Sequence, residues 1–450
     1  MSGSFGVGVA QADHPPAVNP ALLPPGDPAV PPVATEFPSN SKCADIITGG
    51  DAPTPPAAWK SLGLERAWQF SKGAGQLVAV IDTGVARHKR LPGLIPGGDF
   101  VANPGDGTED CDAHGTFVAG LIAASQVDGS WFSGVAPEAR ILSIRQTSKA
   151  YQEKGAAQNK SPDSLPDGFG RLSTIAASIR RAVDMHATVI NISIDWCGPS
   201  NDLDGDVGAA VQYAFQNNVV VVAAAGNNDT EPCKPVNTVV DPLNPTADPW
   251  KNVVVNVSPA RWDDYVLSVG SISDNGAPST FTVPGPWVGV AAPGENLVSL
   301  NPLSDGLATG RNFQNQQTSI SGTSFAAPLV TGVVALVRAR YPQLSAGEVI
   351  KRIEATAHAP YGGWNQYVGY GSVDPIAALT AEVSSAPLQP KLPALPKTNQ
   401  LATPAAPPPP DNSARDVALI GTGIIAGTLI LGYLASFPIR RKFGVRSDEM

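Results

Sequence analysis

Five short runs rich in β-branched and other apolar residues decide what this chain folds into: 77–81, 140–144, 188–194, 219–225 and 265–269. The runs LVAVI at 77–81 and VVVVAAA at 219–225 contain no polar position at all. A strand with one wet face alternates apolar and polar residues, so these strands need cover on both faces. Ala-rich stretches of helical character, such as 174–186 and 208–216, lie between the runs. That alternation predicts an α/β domain over 59–383, with a mostly parallel buried sheet flanked by helices. A chain of 450 residues, 42% hydrophobic and 15% charged, has the apolar content for a full core and is not disordered throughout.

Proline marks the borders. The chain holds 44 prolines, about twice the usual ~5% share, and they crowd into 15–38 and 387–410, outside helices and central strands. The first cluster belongs to a proline-rich extension at 13–58, the second to a semi-rigid stalk at 384–416. Segment 417–438 then runs without a charge, long enough to cross a bilayer core, for which ~20 residues suffice. Arg440, Arg441, Lys442 and Arg446 follow it. The excess of positive charge predicts a single-pass helix with a short basic tail, 439–450, in the cytoplasm and the rest of the chain outside. A buried core helix is the alternative for 417–438. Residues 1–12 lack the basic and apolar regions of a signal peptide, yet Ala10-Gln11-Ala12 has the small-x-small pattern that precedes a cleavage site. They are read as a possible remnant, with the export signal expected upstream of Met1. The other possibility is that the membrane helix alone directs insertion. A net charge of −9 argues against nucleic acid as a partner. The four cysteines show no CxxC spacing, so no zinc site is expected, and no cofactor or metal is implied.

Four local motifs carry chemistry. The strand 77–81 ends in Asp82, where α/β sheets place their active sites, although aspartate also forms turns there. His114 opens a compact apolar helix between small residues that leave its ring accessible. The other four histidines sit in less telling places: His14 in the extension, His88 in a basic turn, His186 inside an amphipathic helix, His358 near the domain's end. Ser324 precedes a helix over 329–340 and sits at its N-terminus, with Pro328 tolerated in the first turn. That position favours negative charge developing nearby, and it also suits a plain N-cap serine. Asn227 follows the run 219–225, where a side-chain amide can donate into an oxyanion hole. Taken together, in the order Asp82, His114, Asn227, Ser324, they form a serine-protease constellation in the subtilisin order.

The motifs VAVIDTGV, DAHGTFVAG, AAAGN and SGTSFAAP resemble those of the subtilisin-like peptidases, or subtilases, over 59–383. With the extension, stalk, membrane helix and basic tail, the chain resembles the mycosins. These are the membrane-anchored proteases of mycobacterial type VII (ESX) secretion systems. The resemblance implies a subtilisin-like fold with Ser324 as nucleophile, His114 as general base, Asp82 orienting the imidazolium, and Asn227 with the Ser324 N–H holding the oxyanion. It places Ser193, Ile194, Asp195, Ala224, Ala225 and Gly226 along the primary specificity pocket. Where glycine is usual in that pattern, Asp195-Trp196 stands here, so the pocket is expected to be narrowed or charged and the peptidase selective.

The resemblance further implies selective cleavage of a protein exported by the secretion system. It also implies stabilisation of the complex through other membrane subunits. The alternative is a mainly structural subunit with proteolysis secondary. Residues 146–171 form a polar, Gly/Pro-punctuated insertion, read as a lid or docking loop or else as a solvated excursion. Facing an oxidising compartment, the cysteines are expected to form disulfides. Of the three possible pairings, Cys43–Cys111 and Cys197–Cys233 is the expected one. It tethers the extension beside His114, and it joins cysteines that follow neighbouring strand ends.

Overall fold

A computed structural model describes residues 14–26, 28–50, 54–155, 161–165, 168–198, 202–229, 232–234, 236–239, 247–384, 388 and 413–442. The expected remnant 1–12, nearly all of the stalk 384–416 and most of the tail 439–450 lie outside these residues, as do parts of the 146–171 insertion.

In chain order, two short strands, β1 (Thr35–Glu36) and β2 (Asp45–Thr48), precede helices α1 (Ala57–Ser61) and α2 (Leu64–Ala67). Strands β3 (Leu77–Asp82) and β4 (Ile95–Asp99) come before helix α3 (His114–Ala123). Then follow β5 (Arg140–Arg145), β6 (Gln152–Glu153), α4 (Leu172–Asp184), β7 (Val189–Ile192), β8 (Trp196–Gly198), α5 (Gly205–Gln216) and β9 (Val220–Ala224). The second half adds β10 (Asn256–Ser258), β11 (Val266–Ile272), β12 (Val288–Pro293), β13 (Ser299–Leu300), β14 (Leu307–Phe313) and β15 (Gln316–Ser319). It closes with α6 (Thr323–Arg340), α7 (Ala346–Ala355), α8 (Pro375–Thr380) and α9 (Ser413–Lys442).

The central sheet has seven strands in the order β12-β11-β9-β7-β3-β5-β4, and every pairing in it is parallel. Alternate side chains serve two cores. Val78, Val80, Val220 and Val222 pack with Phe117 and Leu121 of α3 and Leu329, Val330 and Val333 of α6. Ala79, Ile81, Val221 and Ala223 pack on the other face with Ile175 and Ile179 of α4 and Val207 and Val211 of α5. Cover on both sides is what the unbroken apolar runs require. Helix α6 runs through the middle: Leu329 and Val333 are fully buried, and truncating one such leucine to alanine costs about 2–5 kcal/mol.

Two local readings change. His186 is not inside a helix, because α4 ends at Asp184 and His186 takes a positive φ of 62° beyond it. Pro328 does not fall in a first turn, because α6 begins at Thr323. Its missing N–H therefore leaves the Ser324 carbonyl without the usual partner four residues on. The extension, expected to be tethered through Cys43, is also paired and packed on the domain. β1 pairs with β6 and β2 with β14, and Val18, Leu23 and Ala29 pack against the α4–α5 core. Both disulfides, Cys43–Cys111 and Cys197–Cys233, are present.

Contacts divide the chain into two units, 1–396 and 397–450. In the second, the 26-residue stretch Ser413–Pro438 of α9 contains 18 consecutive residues of mean hydropathy 2.0, the length and apolarity of a membrane span. The helix continues past Pro438 to Lys442.

Candidate active site

Asp82 is the last residue of β3 and is fully buried. Its Oδ1 accepts from the Thr83 N–H at 2.7 Å and faces His114 Nδ1 at 2.7 Å. A carboxylate at that distance fixes the tautomer: Nδ1 carries the hydrogen, and Nε2 is left with its lone pair. His114 is the first residue of α3, entered through Ala113 at a positive φ of 64°. The approach of α3 to the loop after β3 depends on two glycines. A Cβ on Gly84, at φ +101°, would overlap the Glu109 carbonyl, and one on Gly115 would overlap the Gly84 carbonyl. A side chain at either place would force the backbone around the start of α3 to shift.

Ser324 is the second residue of α6, after Gly322 at φ +146°. The next residue, Phe325, sets its ring 4.9 Å from the His114 ring, centroid to centroid. That contact brings the start of α6 beside the imidazole. Among the described residues no hydrogen bond joins Ser324 Oγ to His114, and a loose nucleophile–base pair is common before substrate binds. Asn227 follows β9, and its Oδ1 accepts from the Thr323 N–H at 2.9 Å and from the Thr323 hydroxyl at 3.1 Å. Its amide is thereby oriented, with Nδ2 left to donate beside the same helix start.

The expected pocket residues leave the ends of β7 and β9, which are paired neighbours in the sheet. Ser193 is buried and accepts from Asn191 Nδ2 at 2.9 Å, while Asn191 Oδ1 accepts from Thr331 of α6. Ile194 is half-buried. Ala224 and Ala225 are sealed in the core, and Gly226 has φ +104°. A Cβ on Gly226 would stand 3.3 Å from Asp195 Oδ2, so the aspartate occupies the space beside that glycine. Asp195 Oδ2 also accepts from the Asn227 N–H at 3.3 Å. Desolvation pushes the Asp195 carboxyl up to about 6, the Asn227 N–H opposes the rise, the Asp229 charge adds to it, and the His114 charge offsets a little.

Asp195, Cys197 and Cys233 are the one group of potential metal ligands among the described residues, within 4.8 Å of one another. Both sulfurs are bonded to each other, which leaves a single carboxylate. The insertion is fastened at both ends. Ser148 Oγ donates to Asp112 Oδ2 at 2.5 Å, the Lys149 N–H to Asp112 Oδ1 at 2.8 Å, and Ser148 bridges to Phe169. Sequence reasoning passed over Thr83, Asp110 and Thr116, which bond to one another beneath the His114 loop. Their signal was a hydroxyl directly after Asp82, a carboxylate four residues before His114, and a hydroxyl two residues after it.

A buried Asp–His pair at the end of a central parallel strand, facing a serine at a helix start and an oriented asparagine, defines the serine peptidases of the subtilisin type. The Subtilase family profile matches residues 73–371. Mycosin-4 of Mycobacterium tuberculosis (strain ATCC 25618 / H37Rv) is 44% identical over 385 residues, 84% of this chain and 81% of that protein. The structure of MycP1, described as a serine protease and an essential component of the type VII (ESX-1) secretion system, is similar at TM-score 0.75. It is 42% identical and covers 82% of this chain and 99% of its own. A chain in an intact ESX-5 inner membrane complex is similar at TM-score 0.77. It is 40% identical, covering 94% of this chain and 99% of its own. The protein belongs to the subtilase family and, within it, to the mycosins: it is a membrane-anchored, subtilisin-like serine endopeptidase.

Proposed function

We propose that Ser324, His114 and Asp82 carry out peptide hydrolysis through an acyl-enzyme. Ser324 Oγ attacks the scissile carbonyl carbon while its proton passes to His114 Nε2, and the resulting imidazolium is held by Asp82. Asn227 Nδ2 and the Ser324 N–H take the oxyanion, a donor of this kind being worth roughly 10²–10³ in rate. His114 then protonates the leaving amine, and water releases the acyl group by the reverse path. The observation that carries this reading is the 2.7 Å His114–Asp82 contact together with the tilted ring contact of that imidazole with Phe325, the residue after Ser324.

Asp195, beside Gly226 and Asn227, restricts the residue accepted before the scissile bond, which favours a selective enzyme over a degradative one. The peptidase domain 59–383 stands outside the membrane, α9 crosses it once, and the tail lies in the cytoplasm. The substrate is a protein exported by a type VII system, and the chain stabilises that system's membrane complex; the likeness to a chain of the ESX-5 complex supports this second role. Membranes carrying the full chain, wild type or Ser324→Ala, are incubated with the secreted proteins of the same cell, and new N-termini are sequenced. Termini that arise with wild type and vanish with Ser324→Ala support the reading; identical termini from both contradict it.

A further inference from the structure

We propose that Asp110 is a positioning residue for peptide hydrolysis: its carboxylate ties the loop after β3 to the first turn of α3 and so keeps the His114 ring on Asp82. The inference rests on the assignment of Asp82, His114 and Ser324 above.

Helix α3 begins without a side-chain cap of its own, since its N-cap residue is Ala113. The first N–H groups of a helix need partners from elsewhere. Here two threonines and one aspartate supply them. Thr83, next to Asp82, accepts from the Gly115 N–H at 2.9 Å and donates its own hydrogen to Asp110 Oδ1 at 2.8 Å. Asp110 Oδ2 accepts from the Thr116 N–H at 2.8 Å and from the Thr116 hydroxyl at 2.6 Å. The Thr116 hydroxyl in turn accepts from the Ala86 N–H at 2.9 Å. Together these links tie the segment that follows Asp82 to the helix that begins with His114.

The hydrogens run one way. Each hydroxyl accepts from a backbone N–H and donates to Asp110, whose Oδ2 takes the Thr116 N–H as well, so the ionised carboxylate meets donors only. Protonated Asp110 would bring a hydrogen among groups that now donate to it, so a threonine hydroxyl would have to turn its own hydrogen away, and a charge-assisted link would be lost. Desolvation pushes its carboxyl up to about 6, the Asp112 charge adds to the rise, and the bonds from Thr116 and Thr83 resist it. Asp112 is the charged neighbour, itself held by Ser148 and the Lys149 N–H. The clamp is therefore tight at neutral pH and loosens in mild acid.

The full chain in detergent is labelled with a peptidyl diphenyl phosphonate, and the rate of adduct formation on Ser324 is followed from pH 5 to 8. With a carboxyl near 6, the ionised fraction of Asp110 falls about tenfold by pH 5. Asp110→Asn is expected to label more slowly at pH 7.5 and to lose about tenfold less of its rate on going to pH 5 than wild type loses. Thr116→Val removes one donor to Asp110, which raises the aspartate's pKa, so its acid limb should move to higher pH. A pH profile identical to wild type in both variants, whatever their stability or adduct yield, overturns the proposal. Failure of the wild-type chain to label at Ser324 overturns the triad reading beneath it.

Discussion

At the scale of single residues, Asp195 carries the expectation of a selective pocket. Its carboxylate occupies the space beside Gly226 and accepts from the Asn227 N–H, so under the proposed function one side chain would both fill a subsite and touch the oxyanion residue. Clearing it should admit larger side chains. Asp195→Gly is expected to raise kcat/KM for a peptide with leucine before the scissile bond, relative to alanine, by about 10- to 200-fold, the range that pocket volume gives. Paired fluorogenic peptides measure the ratio, and an unchanged ratio would show that the aspartate does not line the subsite.

At the scale of elements, the N-terminal extension is held by pairing as well as by covalent bonds. The Cys43–Cys111 bond closes a loop of 68 residues, and removing such a bond typically costs about 2–4 kcal/mol. With β2 still paired to β14, a Cys43→Ser, Cys111→Ser double variant should unfold at lower temperature yet keep the extension bound, as protection of 45–48 in hydrogen exchange would reveal. On α5, Asp206 is pushed up to about 6 by desolvation, against the Val207 N–H, with Asp204 and Asp163 adding repulsion. A raised carboxyl means the folded state holds its proton more tightly, so this contribution to stability falls as pH rises from about 4 to 6. Asp206→Asn should therefore raise the melting temperature at pH 7.5 more than at pH 4.5. These elements also show how legible the sequence is. All five apolar runs became central strands, because a strand buried on both faces must be apolar throughout. Asp82, His114, Asn227 and Ser324 were readable because each sits at an element's end, where small residues mark the approach. The packing of the extension was not readable: a proline-rich segment has no period, and its hold on α4 and α5 comes from isolated residues such as Leu23. The clamp around Asp110 was equally hidden, since three segments must meet before its hydroxyls and carboxylate have partners.

At the scale of the whole molecule, a peptidase unit and an apolar helix are joined in one chain, and proteolysis needs only the first. If cleavage and support of a secretion complex are separable, Ser324→Ala should leave secretion running while processing stops. Removing 411–450 should release an active peptidase and disable secretion. Loss of secretion in Ser324→Ala as complete as in a full deletion, with the protein at normal level in the membrane, would make cleavage the essential step and exclude a separate scaffold role. All of these outcomes presuppose that the oxygen of Ser324 is the nucleophile. The direct test is to treat the full-length chain with a diphenyl phosphonate and map the adduct by peptide mass spectrometry. The account predicts a single adduct on Ser324, absent from Ser324→Ala, with that variant's stability within about 1 kcal/mol of wild type. An adduct on another serine, or undiminished peptide cleavage by purified Ser324→Ala, would contradict it.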